Sequence, residues 1–138
     1  MDPLKLENQL CFPLYAAARE VVKKYTPFLS EIDLTYTQYI VMMVLWEAKQ
    51  IGIKELGEKL RLDSGTLTPL LKKMQQRGLI TKERSAIDER NVTVLITADG
   101  EALRAKAITI PEQIAHCISL TPEECAVLYK LLYQILDK

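Results

Sequence analysis

Three cysteines and a single histidine are the side chains best suited to redox or metal chemistry in this 138-residue chain. Cys11 sits in the apolar stretch ENQLCFPLY, with no metal partner, disulfide mate or catalytic base beside it. Two readings fit such a residue. On spacing alone it is a small buried hydrophobe, as most free cysteines are. Alternatively it is a reactive thiol, and then it needs help. A free thiol with the ordinary pKa near 8.5 is only about 3% thiolate at neutral pH, so a sensor needs helix-terminus N–H groups or hydroxyl donors to raise that fraction about tenfold. Cys117 lies in AHCISLTPEE, near the end of a helical segment, and Cys125 falls inside the last helix, where it reads as core. His116, Cys117 and Cys125 do not suggest a metal, because two adjacent ligands and a distant third match no common zinc spacing. No C-x-x-C, active-site arginine pattern or nucleophile–base pair supports turnover, so neither catalytic residues nor a cofactor are expected.

The bulk composition bounds the remaining classes. The length suits one domain with its own core. Apolar residues make up 49% and charged residues 26%, a globular balance. No apolar run approaches the roughly 18 residues that cross a bilayer, and no export signal is apparent, so no membrane partner and a cytoplasmic location are expected. An odd number of cysteines without a pairing motif argues in the same direction. The formal net charge is zero, but the stretch 54–90 holds nine Lys/Arg against six Asp/Glu, a local excess of +3 balanced by −3 elsewhere. An excess of that size is usually a solvated face.

The elements that would position these residues are mostly helical. Apolar residues recur at helical spacing over 4–25, with Pro13 either kinking the helix or marking its true start, and with Pro27 stopping it. Thr35 caps a second helix through about residue 48, apolar nearly all round and therefore core. IGI is too brief for more than a strand fragment. IKELGEKL gives a two-turn helix with Ile53, Leu56 and Leu60 on one side. Asp63 or Ser64 then caps TLTPLLKKMQQR, which buries Leu67, Leu70, Leu71 and Met74 and leaves Thr66, Thr68, Lys72, Lys73 and Gln76 outside. Gly78 supplies the left-handed stop. Runs 79–84 and 91–97 form a β-hairpin with the long polar tip 85–90. Thr97 caps a helix running toward residue 118, and TPEE opens a last one with Thr121 as N-cap, Pro122 at N1 and Glu124 at N3.

Helix–turn–helix followed directly by a hairpin is the winged-helix arrangement. The fold class is mainly α with a small β wing, flanked by N- and C-terminal helices that form a dimerisation region. The second helix of such a unit enters a DNA major groove about 12 Å wide, and the hairpin tip reaches the adjacent minor groove.

The stretch LDSGTLTPLLKKMQQRGLITKERSAIDERNV resembles the recognition helix and wing of MarR-type regulators, whose wing carries a D-x-R, here Asp88 and Arg90. LENQLCFPLYAAAREVVKKYTPFL and LTYTQYIVMMVLWE narrow the resemblance to the organic-hydroperoxide-sensing, OhrR-type subgroup, over nearly the whole chain. One departure is Pro13, where the family carries an aliphatic or small residue. The resemblance implies a single domain over 1–138, with 34–97 reading DNA and 4–30 and 98–138 dimerising. It implies that Cys11 is the peroxide-reactive cysteine, with Tyr25 and Tyr36 hydrogen-bonding its thiolate across a homodimer. Phe12, Tyr15 and Tyr39 would supply an apolar lining. Cys117 is then either a resolving cysteine or a packed helix-end residue, and a low-molecular-weight thiol is the other candidate to take over the oxidised sulfur. Ser64, Thr66, Thr68, Pro69, Lys72 and Lys73 would line the DNA-reading surface. Arg90 would enter the minor groove or pair with Asp88 or Glu89. The function implied is a repressor that leaves a pseudo-palindromic operator when an organic hydroperoxide oxidises Cys11. Alternatives are a regulator of the same type answering another oxidant or a phenolic ligand, a thiol redox enzyme, and a winged helix that binds only protein.

Overall fold

The computed structural model describes residues 1–88 and 90–137. A 3-10 turn (Leu6–Asn8) precedes α1 (Cys11–Ser30), α2 (Tyr36–Ala48), β1 (Gln50–Gly52), α3 (Ile53–Leu60), α4 (Ser64–Gln76), β2 (Ile80–Arg84), β3 (Val92–Ile96), α5 (Ala98–Ala107), α6 (Ile110–Ala115) and α7 (Pro122–Leu136). The three strands form an antiparallel sheet in the order β1-β3-β2, with Ile51 opposite Val94 and Lys82 opposite Val94 from the other side. Two residues of the fragment IGI, Ile51 and Gly52, thus acquire a partner in the third strand of the wing sheet, while Ile53 opens α3.

α2 is the hub, as its sequence demands. Val41, Met42 and Leu45 have no exposed surface, and around them pack Leu56 of α3, Leu71 and Met74 of α4 and Val94 of β3, equally buried. Local signals set the ends of the elements. Thr35 accepts from the Gln38 N–H while Gln38 accepts from the Thr35 N–H, a capping box that fixes the start of α2. Asp63 caps α4 by accepting from the Thr66 N–H at 2.8 Å, and Thr97 caps α5. Thr121 and Glu124 form the second box, at α7. Gly78, with φ of +76°, is the left-handed stop after α4.

Three expectations need correction. Pro27 does not stop α1, which runs on to Ser30. It sits in the last turn, where its missing N–H forfeits one bond, while buried Leu29 and the Ser30 hydroxyl bonded to the Thr26 carbonyl at 2.7 Å hold the turn closed. Of the two readings of Pro13 the second holds: a short turn precedes a helix that begins at Cys11, so Pro13 is its third residue, where no intrahelical partner is lost. The expected helix toward residue 118 is two helices, because Pro111 cannot donate to the Ala107 carbonyl. The chain bends at 108–109 while Ala107 and Ile110 both stay buried. Cys125 is exposed, not core, and α7 buries no residue within this chain, with Val127, Leu128, Leu131 and Ile135 all exposed on it. Its apolar face is real but points away from this chain's core.

Candidate redox site and nucleic-acid interface

The reading surface follows from how α4 is set. Gly57 lets the α3–α4 turn close tightly, since a Cβ there would lie 3.0 Å from the Leu62 carbonyl oxygen. Arg61 ends α3 in the left-handed region, with φ of 56°. Burying Leu67, Leu70, Leu71 and Met74 turns the opposite face of α4 outward, and Ser64, Thr66, Thr68, Pro69, Lys72 and Lys73 are all exposed on it. Pro69 is the sixth residue of α4, so the Gly65 carbonyl loses its usual N–H donor on that outward face. The surface is short hydroxyls, two cations and free backbone, able to bond phosphates and base edges.

The wing tip is built by its own hydrogen bonds. The Ser85 N–H donates to the Asn91 carbonyl, and the Ser85 hydroxyl accepts from the N–H groups of Ile87 and Asp88. Asp88 then accepts from both the backbone N–H and the Nε of Arg90, at 3.0 and 3.3 Å. The Arg90 side chain is 92% exposed, so Asp88 aims the guanidinium without covering it. Glu89, the other expected partner, lies outside the described residues.

The tyrosines expected to hold a thiolate come together. The ring centroids of Tyr25 (α1) and Tyr36 (α2) are 4.9 Å apart in an edge-on arrangement, and Tyr39 completes a trio at 5.7 and 6.3 Å. Burial pushes the Tyr25 phenol up to about 12, with the neighbouring Tyr36 and Tyr39 adding to the effect. Burial raises Tyr36 and Tyr39 too. All three therefore keep their protons across the physiological range and are hydrogen-bond donors. None of the hydroxyls bonds to a described residue, and among those residues no fully buried polar atom lacks a partner, so the hydroxyls reach solvent.

Cys11 is elsewhere. It is the first residue of α1, exposed, with Leu10 as an N-cap that offers no side-chain acceptor. The first-turn N–H groups are without intrahelical partners there, at the positive end of the helix dipole. Fourteen residues separate Cys11 from Tyr25 on one helix, about 21 Å of rise. The chain thus assembles the donors and holds the thiol apart from them. Phe12 and Tyr15 accompany the thiol, 43% and 59% exposed, and Arg19 lies over the Tyr15 ring. Cys117 is half-buried just beyond α6, and its thiol donates to the Gln113 carbonyl at 3.4 Å. Among the described residues no three His, Cys, Asp or Glu side chains gather as a metal site, and no helix is long and apolar enough to cross a membrane.

Three features were not foreseen. Gln38 is buried and closes the cap that sets Tyr36, which the T-x-x-Q spacing itself signals. The Trp46 indole donates to the Gly100 carbonyl at 2.9 Å, and Arg77 bonds the loop before α2. These last two span 54 and 44 residues, and no local pattern carries them.

Residues 23–106 match the family described as transcriptional regulator SarA/Rot. The chain is 48% identical over 136 residues to the organic hydroperoxide resistance transcriptional regulator of Bacillus subtilis strain 168, covering 99% of this chain and 92% of that one. It is similar in structure to AbfR of Staphylococcus epidermidis, solved reduced on DNA, at 33% identity and a TM-score of 0.78, over 96% of this chain and 92% of that chain. AbfR has also been solved overoxidised on DNA and in a disulfide form. Similarity extends to a cysteine-to-serine mutant of MarR from Escherichia coli complexed with operator DNA, at 25% identity and a TM-score of 0.79, over 92% and 93% of the two chains. With its helix–turn–helix, its wing and these relatives, the chain belongs to the SarA/Rot transcriptional regulators, winged-helix proteins of the MarR type.

Proposed function

We propose that this chain is a homodimeric repressor that binds a pseudo-palindromic operator and releases it when an organic hydroperoxide oxidises Cys11. The observation that carries the reading is the separation of thiol and donors. Tyr25 and Tyr36, half-buried, form with buried Tyr39 a proton-retaining cluster, while Cys11 lies about 21 Å along the same helix as Tyr25. A second copy related by a two-fold axis brings its Cys11 to that cluster, and the two copies complete each other's sites. Leu4, Leu6 and Leu10 before α1 and Val127, Leu128, Leu131 and Ile135 on α7 are exposed apolar side chains, which a second copy would cover. Residues 4–30 and 98–138 make the dimer and 34–97 read DNA, Ser64, Thr66, Thr68, Pro69, Lys72 and Lys73 in major grooves and Arg90 in the minor groove. Two recognition helices reach half-sites about 34 Å apart.

The chemistry balances as follows. The Cys11 thiolate attacks one peroxide oxygen; an S–O bond forms, the O–O bond breaks, and the leaving alkoxide takes a proton to become the alcohol. The resulting sulfenic acid no longer carries the anion that Tyr25 and Tyr36 held. It then condenses with a second thiol, either the partner's Cys117 or a small cytoplasmic thiol, forming S–S and expelling water. Two thiols have lost two electrons to the peroxide. The adduct does not fit the reduced packing, and the two reading units change separation. Wild-type protein is expected to leave operator DNA in a gel shift with cumene hydroperoxide while Cys11→Ser stays bound; equal release of both refutes Cys11 as the trigger.

A further inference from the structure

The end of the recognition helix is tied to the loop that carries Tyr36. Arg77, the C-cap of α4, donates from its guanidinium to the Asp33 carbonyl, and its second terminal nitrogen lies 3.6 Å from the Asp33 carboxylate. The loop is stiff. The Asp33 N–H donates to the Ser30 carbonyl and the Leu34 N–H to the Leu29 carbonyl, and Leu29, Ile32 and Leu34 are buried. Asp33 sits in the left-handed region, with φ of 53°, which fixes the direction of its carbonyl. Directly after it the capping box of Thr35 and Gln38 locks the start of α2, whose first residue is Tyr36. Thr26, Asp33, Tyr36, Gln38 and Arg77 line one open cleft of about 530 Å³ on this side of the molecule.

We infer that Arg77 is a positioning residue that makes the setting of α4 depend on the position of Tyr36, through Asp33. The links between the Tyr36 ring and the guanidinium are the Thr35–Gln38 capping box, the hydrogen-bonded turn over buried Leu29, Ile32 and Leu34, and the exposed Arg77–Asp33 contact, so a displaced Tyr36 carries Asp33 with it. Arg77 then draws on the last turn of α4, and Gly78 beyond it is the left-handed joint at which helix and wing strand can change angle. The inference rests on the function proposed above for what displaces Tyr36, but the connection is present whether or not peroxide is the signal. Coupling of this kind is reciprocal: if Tyr36 biases α4, DNA bound to α4 is felt at Tyr36.

Reciprocity supplies the test. Reduced protein carrying fluorotyrosine is observed by fluorine NMR, with and without a duplex selected by the wild-type protein from a random-sequence pool. The Tyr36 resonance is assigned by its loss in Tyr36→Phe. Saturating duplex is expected to shift that resonance in wild type. In Arg77→Met the shift falls by roughly half or more, and in Arg77→Lys, which keeps the charge and loses the fork, it is intermediate. A wild-type resonance that ignores DNA, or an Arg77→Met shift as large as wild type, overturns the inference. Release of wild type by cumene hydroperoxide is scored separately. A protein whose Tyr36 shift falls in Arg77→Met yet which stays on DNA with peroxide refutes the peroxide reading and upholds Arg77. A pool that yields no duplex overturns both.

Discussion

Replacing Tyr25 by phenylalanine removes one oxygen atom and leaves the ring where it is. The contacts of that ring with Tyr36 at 4.9 Å and Tyr39 at 5.7 Å do not need the hydroxyl. Aromatic pairs of this kind contribute about 0.5–1.5 kcal/mol each, so Tyr25→Ala would cost roughly 1–3 kcal/mol in ring contacts alone. Tyr25→Phe avoids that loss and also removes a phenol that burial disfavours ionising. Its effect on stability should stay within about 1 kcal/mol. The effect on chemistry is larger. A hydrogen bond to a charged acceptor is worth about 1.5–3 kcal/mol, and a hydroxyl that still reaches solvent belongs at the lower end. About 1.4 kcal/mol is one power of ten. The second-order rate of Cys11 oxidation by cumene hydroperoxide is therefore expected to fall about tenfold in Tyr25→Phe. Tyr36→Phe should behave alike, and the double variant should fall further than either.

The assay traps the sulfenic acid on reduced protein at a series of peroxide concentrations, alongside urea unfolding of each variant. The two readouts separate the explanations. Slow oxidation with unchanged unfolding places the hydroxyl on the sulfur; slow oxidation with a lowered midpoint points to disturbed packing. Wild-type rates in both single variants and in the double variant would refute the argument that these phenols hold the reacting thiolate, whatever the fate of the DNA.

Gly100→Ala should destabilise the fold by roughly 2–3 kcal/mol, because the new Cβ would lie 2.4 Å from the Leu79 carbonyl oxygen and 2.8 Å from an Ile96 side-chain carbon. Trp46, the single tryptophan, bonds the Gly100 carbonyl and reports unfolding by fluorescence; an unchanged urea midpoint would show that α5 shifts freely. Alkaline pH should weaken wild type more than Tyr25→Phe. Burial first, then Tyr36 and Tyr39, raises the Tyr25 phenol from 10.0 to about 12, so the folded state holds that proton more tightly than the unfolded chain does. The contribution is complete below pH 10 and is lost as pH climbs toward 12, at most about 2 kcal/mol given partial solvent access. Parallel pH profiles of the two proteins would remove Tyr25 as the source. Arg90→Ala should lower affinity for unrelated duplexes alike and flatten the salt dependence by about one unit per lost phosphate-region contact. An unchanged isotherm would mean the wing does not touch DNA.

Most of the architecture was legible because local chemistry sets it. Thr35, Asp63, Thr97 and Thr121 each announce a helix start through the residue type that can satisfy free N–H groups, and each does so in the structure. Gly78 announces a stop for the same kind of reason. The outward face of α4 followed from the period of its four buried apolar residues. Prolines were harder to read. Pro13 falls in the first turn, where a missing N–H costs nothing, and Pro27 in the last, where it forfeits one bond without ending the helix, whereas Pro111 splits a helix that periodicity alone would continue. Sequence spacing gives the residue type but not which turn of the helix it will occupy, and that decides the cost.

Cys125 and α7 show a different limit. The apolar face of α7 is as clear in the sequence as that of α4, yet that of α4 is buried in this chain and that of α7 exposed, because a one-dimensional pattern says that a face is apolar and not what core it joins. The candidate redox site inherits this limit. Tyr25 and Tyr36 approach each other because α1 and α2 meet across a turn stiffened by buried Leu29, Ile32 and Leu34, while α1 itself holds Cys11 away by its length. A rigid helix cannot bring its first residue to its fifteenth. If the two belong to one site, the site joins two chains, and each α1 gives its thiol to one cluster and its Tyr25 to the other. The same helix then answers to both sites, so damage to the packing at one end is felt at the other. That is a physical reason for a sensor of this design to be a dimer, beyond the spacing of DNA half-sites.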